Sequence, residues 1–409
     1  MNRVLYILSS YPCRTETFIT REIRAIRQPG IEVQIFALRK GCAIKVDKND
    51  NIVYRAKINF FNCLKCLVIR RRFLFIGFKY IGTYLARPFY LLKLLRNSFY
   101  LFWLAEYCYE KEIDLIHAHF ADMPTDLALQ LSQITNIPFT FSAHARDVFC
   151  SPRNLKMKCR EASAVFACSF VLAKLLKKWG QDSKIHLVYH GLDFTDFRFT
   201  EIYDWRIRRF SRLYSEEKEF NILAIGRLVS KKGFSQLIQA LALLNLKNIS
   251  CTIIGSGPLE KNLLNLIYKL NLEKHIRLTG EISFAEICEE FRKSHLLVVP
   301  SIVCKDGDSD NIPNVILEAQ AFGVPVLASD LPAIREVIQP NISGFLVETG
   351  NIHILAEQIF NLIQERKTVL SVLVNARKQV EDRFDVSKNV KQIVGVWKKC
   401  LNNNVDNFA

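Results

Sequence analysis

Apolar residues along the chain alternate between short unbroken runs and stretches in which they recur every three or four positions. Unbroken runs bounded by turn residues read as buried strands, and the wider spacing reads as helices with one apolar face. Val4 to Leu8 is the first such strand and delivers the chain to Ser9-Ser-Tyr-Pro12. In Thr15 to Arg27 the residues Phe18, Ile19, Ile23 and Ile26 have helical spacing; Gly30 stops the helix, and Ile31 to Ala37 is a second strand. Strand, loop, helix and strand in that order open a doubly wound domain, in which ligands sit at the loop ends of the strands. Further strands are expected within Ile113–Phe120, up to Phe141, within Ala164–Ser169 and from Ile185. Phe194 to Phe220 is charged and poorly periodic, as a linker is. The pattern then restarts at Asn221, with strands near Cys251, Ile276, His295–Ser301, Pro325–Ala328 and Gly344–Val347, and a helical tail from Ile354 to about Asn402.

The stretch from Asp306 to Asp330 carries the most chemistry. An acidic loop follows the strand that ends at Pro300-Ser301. Asn311 or Ile312 can cap a helix with Pro313 in its first turn, where a missing N–H costs nothing. The helix runs through Leu317, Ala319 and Ala321 to Gly323, a natural stop. Asp310 precedes it and Glu318 lies about 8 Å further on at the rise of an α-helix. Between these carboxylates the unpaired N–H groups of the helix start, with Asn314 beside them, suit phosphate. Hydroxyls at one end, phosphates between and a ribose at the other outline a sugar nucleotide.

These residues resemble the retaining glycosyltransferases of family 4, which have two acidic residues eight positions apart, usually with Glu-Gly-x-Pro at the first. Glu318 and Pro313 are in place, while Asp310 stands for the usual Glu and Asn311 for the usual Gly. The Asp306-Gly-Asp308 lead-in is similar to that of enzymes building bacterial surface polysaccharides. The resemblance covers nearly the whole chain. It implies the GT-B fold, an α/β architecture of two doubly wound Rossmann-like domains facing across a cleft. On that template residues 1–195 form an acceptor-side domain and 196–385 a nucleotide-sugar domain, with the helix of 386–409 packing back on the first.

Other motifs take their roles from the same resemblance. Tyr11-Pro12 to Phe18 resembles the family's Pro-x-x-Ser/Thr-Glu-Thr-Phe segment, where Glu16 and Thr17 either cap a helix or line the cleft. His144 matches a Thr/Ser-x-His-x-x-Asp segment whose histidine meets the donor sugar, with Asp147 orienting it or capping the next helix. Arg227 and Lys232 resemble the basic pair for the donor diphosphate, and their chemistry suits it: Arg forks onto two oxygens and Lys adds a mobile charge. Lys231 reads as a surface residue. Gly255-Ser-Gly257 is no dinucleotide fingerprint, because the third glycine and the downstream acid are missing.

Composition narrows the rest. Half the residues are hydrophobic and the twelve cysteines form no disulfide-like framework, which fits a folded protein of a reducing cytoplasm. Net charge is +16, and Asn51 to Ala105 contains no acidic residue among many basic and aromatic ones. No window reaches about 18 uncharged apolar residues, so a membrane span is not expected. A basic amphipathic insertion lying on anionic lipid fits this stretch; an ordinary solvated helical face and nucleic acid are the alternatives, the last without any accompanying motif. His117 and His119 share a strand face, but no further ligand is evident, and they read as cleft or core residues rather than a metal site. Asp306, Asp308 and Asp310 mimic a calcium loop that lacks its Gly and Glu.

The expected protein is therefore a retaining transferase taking a sugar from a nucleotide donor to a glycan or lipid-linked acceptor of a cell-surface polysaccharide. It needs no cofactor and no metal, and works in the cytoplasm on the inner face of the membrane. A sugar-nucleotide epimerase, a phosphorylase and a non-catalytic membrane scaffold of the same fold are the rivals.

Overall fold

The computed structural model describes residues 1–13, 16–28, 30–41, 50–55, 100–150, 152, 154–208, 219–244, 248–364 and 369–405. They fall into two compact units, the first made of 1–168, 172–188 and 390–409, the second of 169–171 and 189–389. Each is built on its own parallel sheet.

The first sheet joins β1 (Arg3–Tyr11), β2 (Glu32–Lys40), β3 (Asn51–Tyr54), β4 (Leu115–His119), β5 (Phe139–Ala143), β6 (Ala164–Ala167) and β7 (Ile185–Leu187) in the order β3-β2-β1-β4-β5-β6-β7. Every residue of β4, β5 and β6 is buried, as expected of strands covered by helices on both faces. Strand order reverses between β1 and β4, the point where such sheets open a crevice beyond their carboxyl ends. The acid-free stretch is not one surface element. Asn51–Tyr54 forms an edge strand, and residues 100–110 are helical with Leu101, Leu104 and Ala105 in the core. The rest of that basic insertion, 56–99, lies outside the described residues.

The second sheet has the order β10-β9-β8-β11-β12-β13. Its strands are β8 (Phe220–Ile225), β9 (Ile249–Ile254), β10 (Ile276–Leu278), β11 (Leu296–Val299), β12 (Val326–Ser329) and β13 (Phe345–Val347). Here the reversal lies between β8 and β11, which pair with Leu296 opposite Ile222 and Leu297 opposite Leu223. Whatever follows those two strands is placed at the second crevice.

The segment after Phe194 is not a plain linker. Phe197–Arg208 is a helix that buries Phe199 and Ile202 in the core of the second unit. Arg206, 1% exposed, is buried with them. Its guanidinium donates to the carbonyls of Gly323 at 2.8 Å, Phe291 at 2.9 Å and Arg292 at 3.1 Å. Gly323 ends the helix Asn314–Phe322, and Phe291 and Arg292 lie in the last turn of the helix Phe284–Lys293, places where carbonyls lack helical partners and a cation is favoured. Arg206→Leu is expected to cost about 3 kcal/mol or more, because three buried carbonyls lose a charged donor. A urea titration checks this, and a loss below about 1 kcal/mol would show that the helix ends find other partners.

In the last part of the chain, Ile352–Gln364, Val369–Arg383 and Val386–Val405 are helices. Residues from Val390 onward belong to the first unit, where the Trp397 indole N–H donates to Thr140 Oγ1 at 3.1 Å and the ring packs on Tyr6 and His117. No described helix is long and apolar enough to cross a membrane.

Candidate active site

In the second unit, two loops meet at the strand reversal. The loop after β8 runs from Gly226 to Gly233 and contains a single tight turn, Ser230–Lys232. Gly233 ends that turn at φ +65°, and a Cβ there would lie 1.8 Å from the Pro300 carbonyl oxygen at the end of β11. Only glycine lets these backbones come so close. The Ile302 N–H also donates to the Lys231 carbonyl at 2.8 Å, tying the loop after β11 to the first.

The side chains of the two loops are then matched by charge. Lys231 Nζ lies 2.9 Å from Asp308 Oδ1 and Lys232 Nζ 2.8 Å from Asp310 Oδ2. Asp310 is 8% exposed and also accepts from Ser301 Oγ at 2.6 Å. Lys231 is thus no free surface lysine: it fastens the acidic loop through Asp308. Alternate acids at 308 and 310 meet consecutive lysines at 231 and 232, a correspondence visible only once the loops are neighbours. Arg227 is exposed and makes no ion pair among the described residues.

The acidic loop leads to the helix Asn314–Phe322, which begins later than expected. Pro313 is the N-cap, in extended conformation at φ −69° and ψ 122°, and no side chain caps the helix. Asn311 is therefore part of the loop, two residues before the cap. The first turn has no acidic residue, so its amides and the positive end of the helix dipole have no anion of the helix's own beside them. Asn314 and Glu318, four apart, share one face of this helix, and both are half-buried. Gly323 closes it in the left-handed region at φ +73°.

In the first unit, the reversal between β1 and β4 holds a polar cluster. His117 and His119 are fully buried, and Glu22 joins them, contrary to the expectation that no carboxylate completes their set. The ring nitrogens have hydrogen-bond partners. His117 Nδ1 is 2.9 Å from Thr140 Oγ1 and its Nε2 is 3.2 Å from Ser142 Oγ. His119 Nε2 is 2.9 Å from Glu22 Oε1 and its Nδ1 is 3.4 Å from His144 Nε2. The lone pairs and N–H groups a metal would need are engaged in this network. Burial pushes the His117 imidazole down to about 3, which keeps it neutral.

His144 follows β5 directly and stacks near Phe120 and Phe18, with ring centroids 4.3 and 5.2 Å away. Asp147 caps the short helix Ala145–Phe149 with His144 in a capping box: the His144 side chain faces the Asp147 N–H, and Asp147 Oδ2 accepts from the His144 N–H at 3.1 Å and also from the Ala121 N–H at 2.8 Å. Burial pushes the Asp147 carboxyl up to about 7, against these two N–H groups, which favour its anion. Glu16 occupies the N-cap position of the helix Thr17–Arg27 but makes no side-chain cap hydrogen bond.

Two family models match the chain, Glycosyltransferase Family 4 over residues 15–196 and Glycosyl transferases group 1 over 206–379. The chain belongs to the family 4 glycosyltransferases. It is 24% identical over 411 aligned positions to a protein of Escherichia coli (strain K12) named for colanic acid biosynthesis, covering 94% of this chain and 96% of that one. It is 33% identical over 180 residues to the amylovoran biosynthesis glycosyltransferase of Erwinia amylovora, a match spanning 44% of each chain. Among solved structures, HepE of Anabaena, crystallised with UDP, shares the fold with a TM-score of 0.70 at 18% identity, over 98% of this glycosyltransferase and 100% of HepE. The two doubly wound units are those of the GT-B glycosyltransferases.

Proposed function

We propose that the protein takes a sugar from a nucleotide-sugar donor, with retention of configuration, and adds it to a glycan or lipid-linked acceptor during assembly of a cell-surface polysaccharide. The observation that carries this is the contact between Lys232 and Asp310 at the strand reversal of the second unit, beside an uncapped helix start. A cation for the leaving diphosphate and a carboxylate for sugar hydroxyls thus stand together where open parallel sheets bind ligands. Arg227 adds a second cation, Asn311, Pro313 and Asn314 shape the phosphate site, and Glu318 holds the ribose. The family resemblance assigns His144 a role toward the donor sugar. HepE was solved with UDP-glucose as well as UDP, which supports a uridine nucleotide as the first donor to try.

The test is a panel of nucleotide sugars. The true donor at 100 times its Kd raises stability by about 2.7 kcal/mol. That shift should vanish in Lys232→Ala, and the product should keep the anomeric configuration of the donor. A panel in which no nucleotide sugar stabilises the protein, or in which donor alone is isomerised, overturns the reading.

Transfer should also proceed without a divalent ion. Asp308 and Asp310, the acids best placed to hold one, are each engaged by a lysine. Full activity in chelator is expected; loss restored by magnesium or manganese would refute it. The acid-free stretch supports a peripheral place on the cytoplasmic face of an anionic membrane. Binding to anionic vesicles should fall steeply with salt, since exposed charges are screened over about 8 Å at physiological ionic strength. Equal binding to neutral vesicles would exclude it.

A further inference from the structure

The turn Phe120–Asp122 lies at the carboxyl end of β4, beside the reversal between β1 and β4. Phe120 has φ +73°, a left-handed backbone that a bulky residue adopts only when its surroundings hold it there. Five backbone groups of the turn are held. The Phe120 N–H donates to the Ser142 carbonyl at 3.0 Å, and the Phe120 carbonyl accepts from Thr125 Oγ1 at 2.7 Å. The Ala121 N–H donates to Asp147. The carbonyls of Ala121 and Asp122 accept from Lys158 Nζ, at 2.7 and 3.3 Å.

Lys158 is an unusual residue for its place. On the helix Leu155–Glu161 it falls in the buried stripe with Leu155 and Cys159 and is itself fully buried. A lysine enters a core at a cost unless it is paired and its N–H groups are used. Both conditions are met: Nζ lies 2.8 Å from Asp126 Oδ1, also buried, on the helix Met123–Thr135, and the two turn carbonyls take further N–H groups. Such a pair is weak evidence for stability, because apolar residues of similar volume often serve as well. An apolar pair could not hold the two carbonyls. The same charge acts on Asp147. Burial and Asp122 push that carboxyl up, while the Ala121 and His144 N–H groups and Lys158 favour its anion, the form that accepts most strongly from the turn. The turn so held sets the Phe120 and His144 ring centroids 4.3 Å apart.

We propose that Lys158 is a positioning residue for sugar transfer, whose ammonium group fastens the turn Phe120–Asp122 and so fixes the Phe120 ring against which His144 is set. Its effect on turnover rests on the reading that His144 acts toward the donor sugar; the fastening of the turn does not. Full burial keeps Lys158 from any ligand, so it acts only through the turn.

Amide hydrogen exchange on the full-length wild type tests the fastening without any variant. Phe120 and Ala121 should exchange as slowly as the residues of β4, although they lie in a turn. For turnover, Lys158→Met alone would strand the Asp126 charge in the core, so it is combined with Asp126→Val, which removes both charges together. In that protein the two amides should exchange about tenfold faster or more, and kcat should fall about tenfold or more. The donor KM and the Kd for free nucleoside diphosphate should stay within about twofold, a split that general loss of structure does not produce. Phe120→Gly suits the left-handed backbone, removes only the ring, and should lower kcat to a similar degree with the exchange of Ala121 unchanged. Fast exchange of both amides in the wild type, or unchanged exchange in the double variant, overturns the fastening. Faster exchange with kcat within about threefold of the wild type overturns the part of Lys158 in turnover. If the double variant does not fold, an unchanged kcat in Phe120→Gly does the same. An unchanged kcat in His144→Ala would instead refute the role of His144 toward the sugar and leave the fastening standing.

Discussion

Lys232→Ala should lower kcat/KM for transfer by roughly ten- to several-hundred-fold, because a charge-assisted bond to a departing diphosphate contributes about 1.5–3 kcal/mol or more. Lys232 should matter more than Arg227. Its side chain is 16% exposed, whereas Arg227 is open to solvent, where a charge is screened and its attraction weakened. Lys231→Ala should act differently again. Lys231 is occupied by Asp308, so its loss frees the acidic loop and should raise the donor KM more than it lowers kcat. Lys232→Ala also leaves the carboxylate of Asp310 without its cation in a nearly buried place. Thermal unfolding must therefore accompany the kinetics, so that lost transfer is not lost protein. Steady-state rates on folded variants decide the matter, and a Lys232→Ala enzyme within about threefold of the wild type would remove the lysine from the diphosphate site.

The doubly wound fold was legible because strands such as Leu296–Val299 and Val326–Ser329 are buried on both faces and leave unbroken apolar runs. Gly323 was legible as a stop for the same kind of reason: its backbone is left-handed, and glycine adopts that freely. Where the reading failed, polar residues were doing a core residue's task. Arg206 makes Phe197–Arg208 look like a solvated linker, yet it is buried by the carbonyls it satisfies. Glu22 interrupts the apolar stripe of Ile19, Ile23 and Ile26, and that interruption was the available signal of a buried acid. Its partners His119 and Tyr6 lie on β4 and β1, far from it in the chain, so nothing local could name them. The pairing of Lys231 with Asp308 was hidden likewise, since it depends on two loops meeting where strand order reverses. Pro313 was placed one or two positions too deep: proline favours the first turn, yet here it stands before it, as the N-cap in extended backbone.

Asp310→Asn should separate binding from transfer. In the proposed arrangement Asp310 holds hydroxyls of the donor sugar, a group that free nucleoside diphosphate lacks. The contact at 2.8 Å with Lys232 adds a second consequence, because Asp310 competes with phosphate for the same ammonium. Neutralising it should leave the Kd for free nucleoside diphosphate unchanged or lower it a few-fold, while transfer falls by about a hundredfold, the scale of losing a charged partner to the reacting sugar. Asp310→Glu keeps the charge and should keep measurable turnover. Glu318→Gln should do the reverse of Asp310→Asn, raising the donor KM and the Kd for free diphosphate together through the ribose. A double-mutant cycle between Lys232→Ala and Asp310→Asn should show coupling in diphosphate binding, since Asp310 can influence that ligand only through the lysine it touches. Calorimetry on the four proteins measures it. If Asp310→Asn weakens the free diphosphate as much as Glu318→Gln does and leaves turnover intact, Asp310 belongs to the nucleotide and not to the sugar.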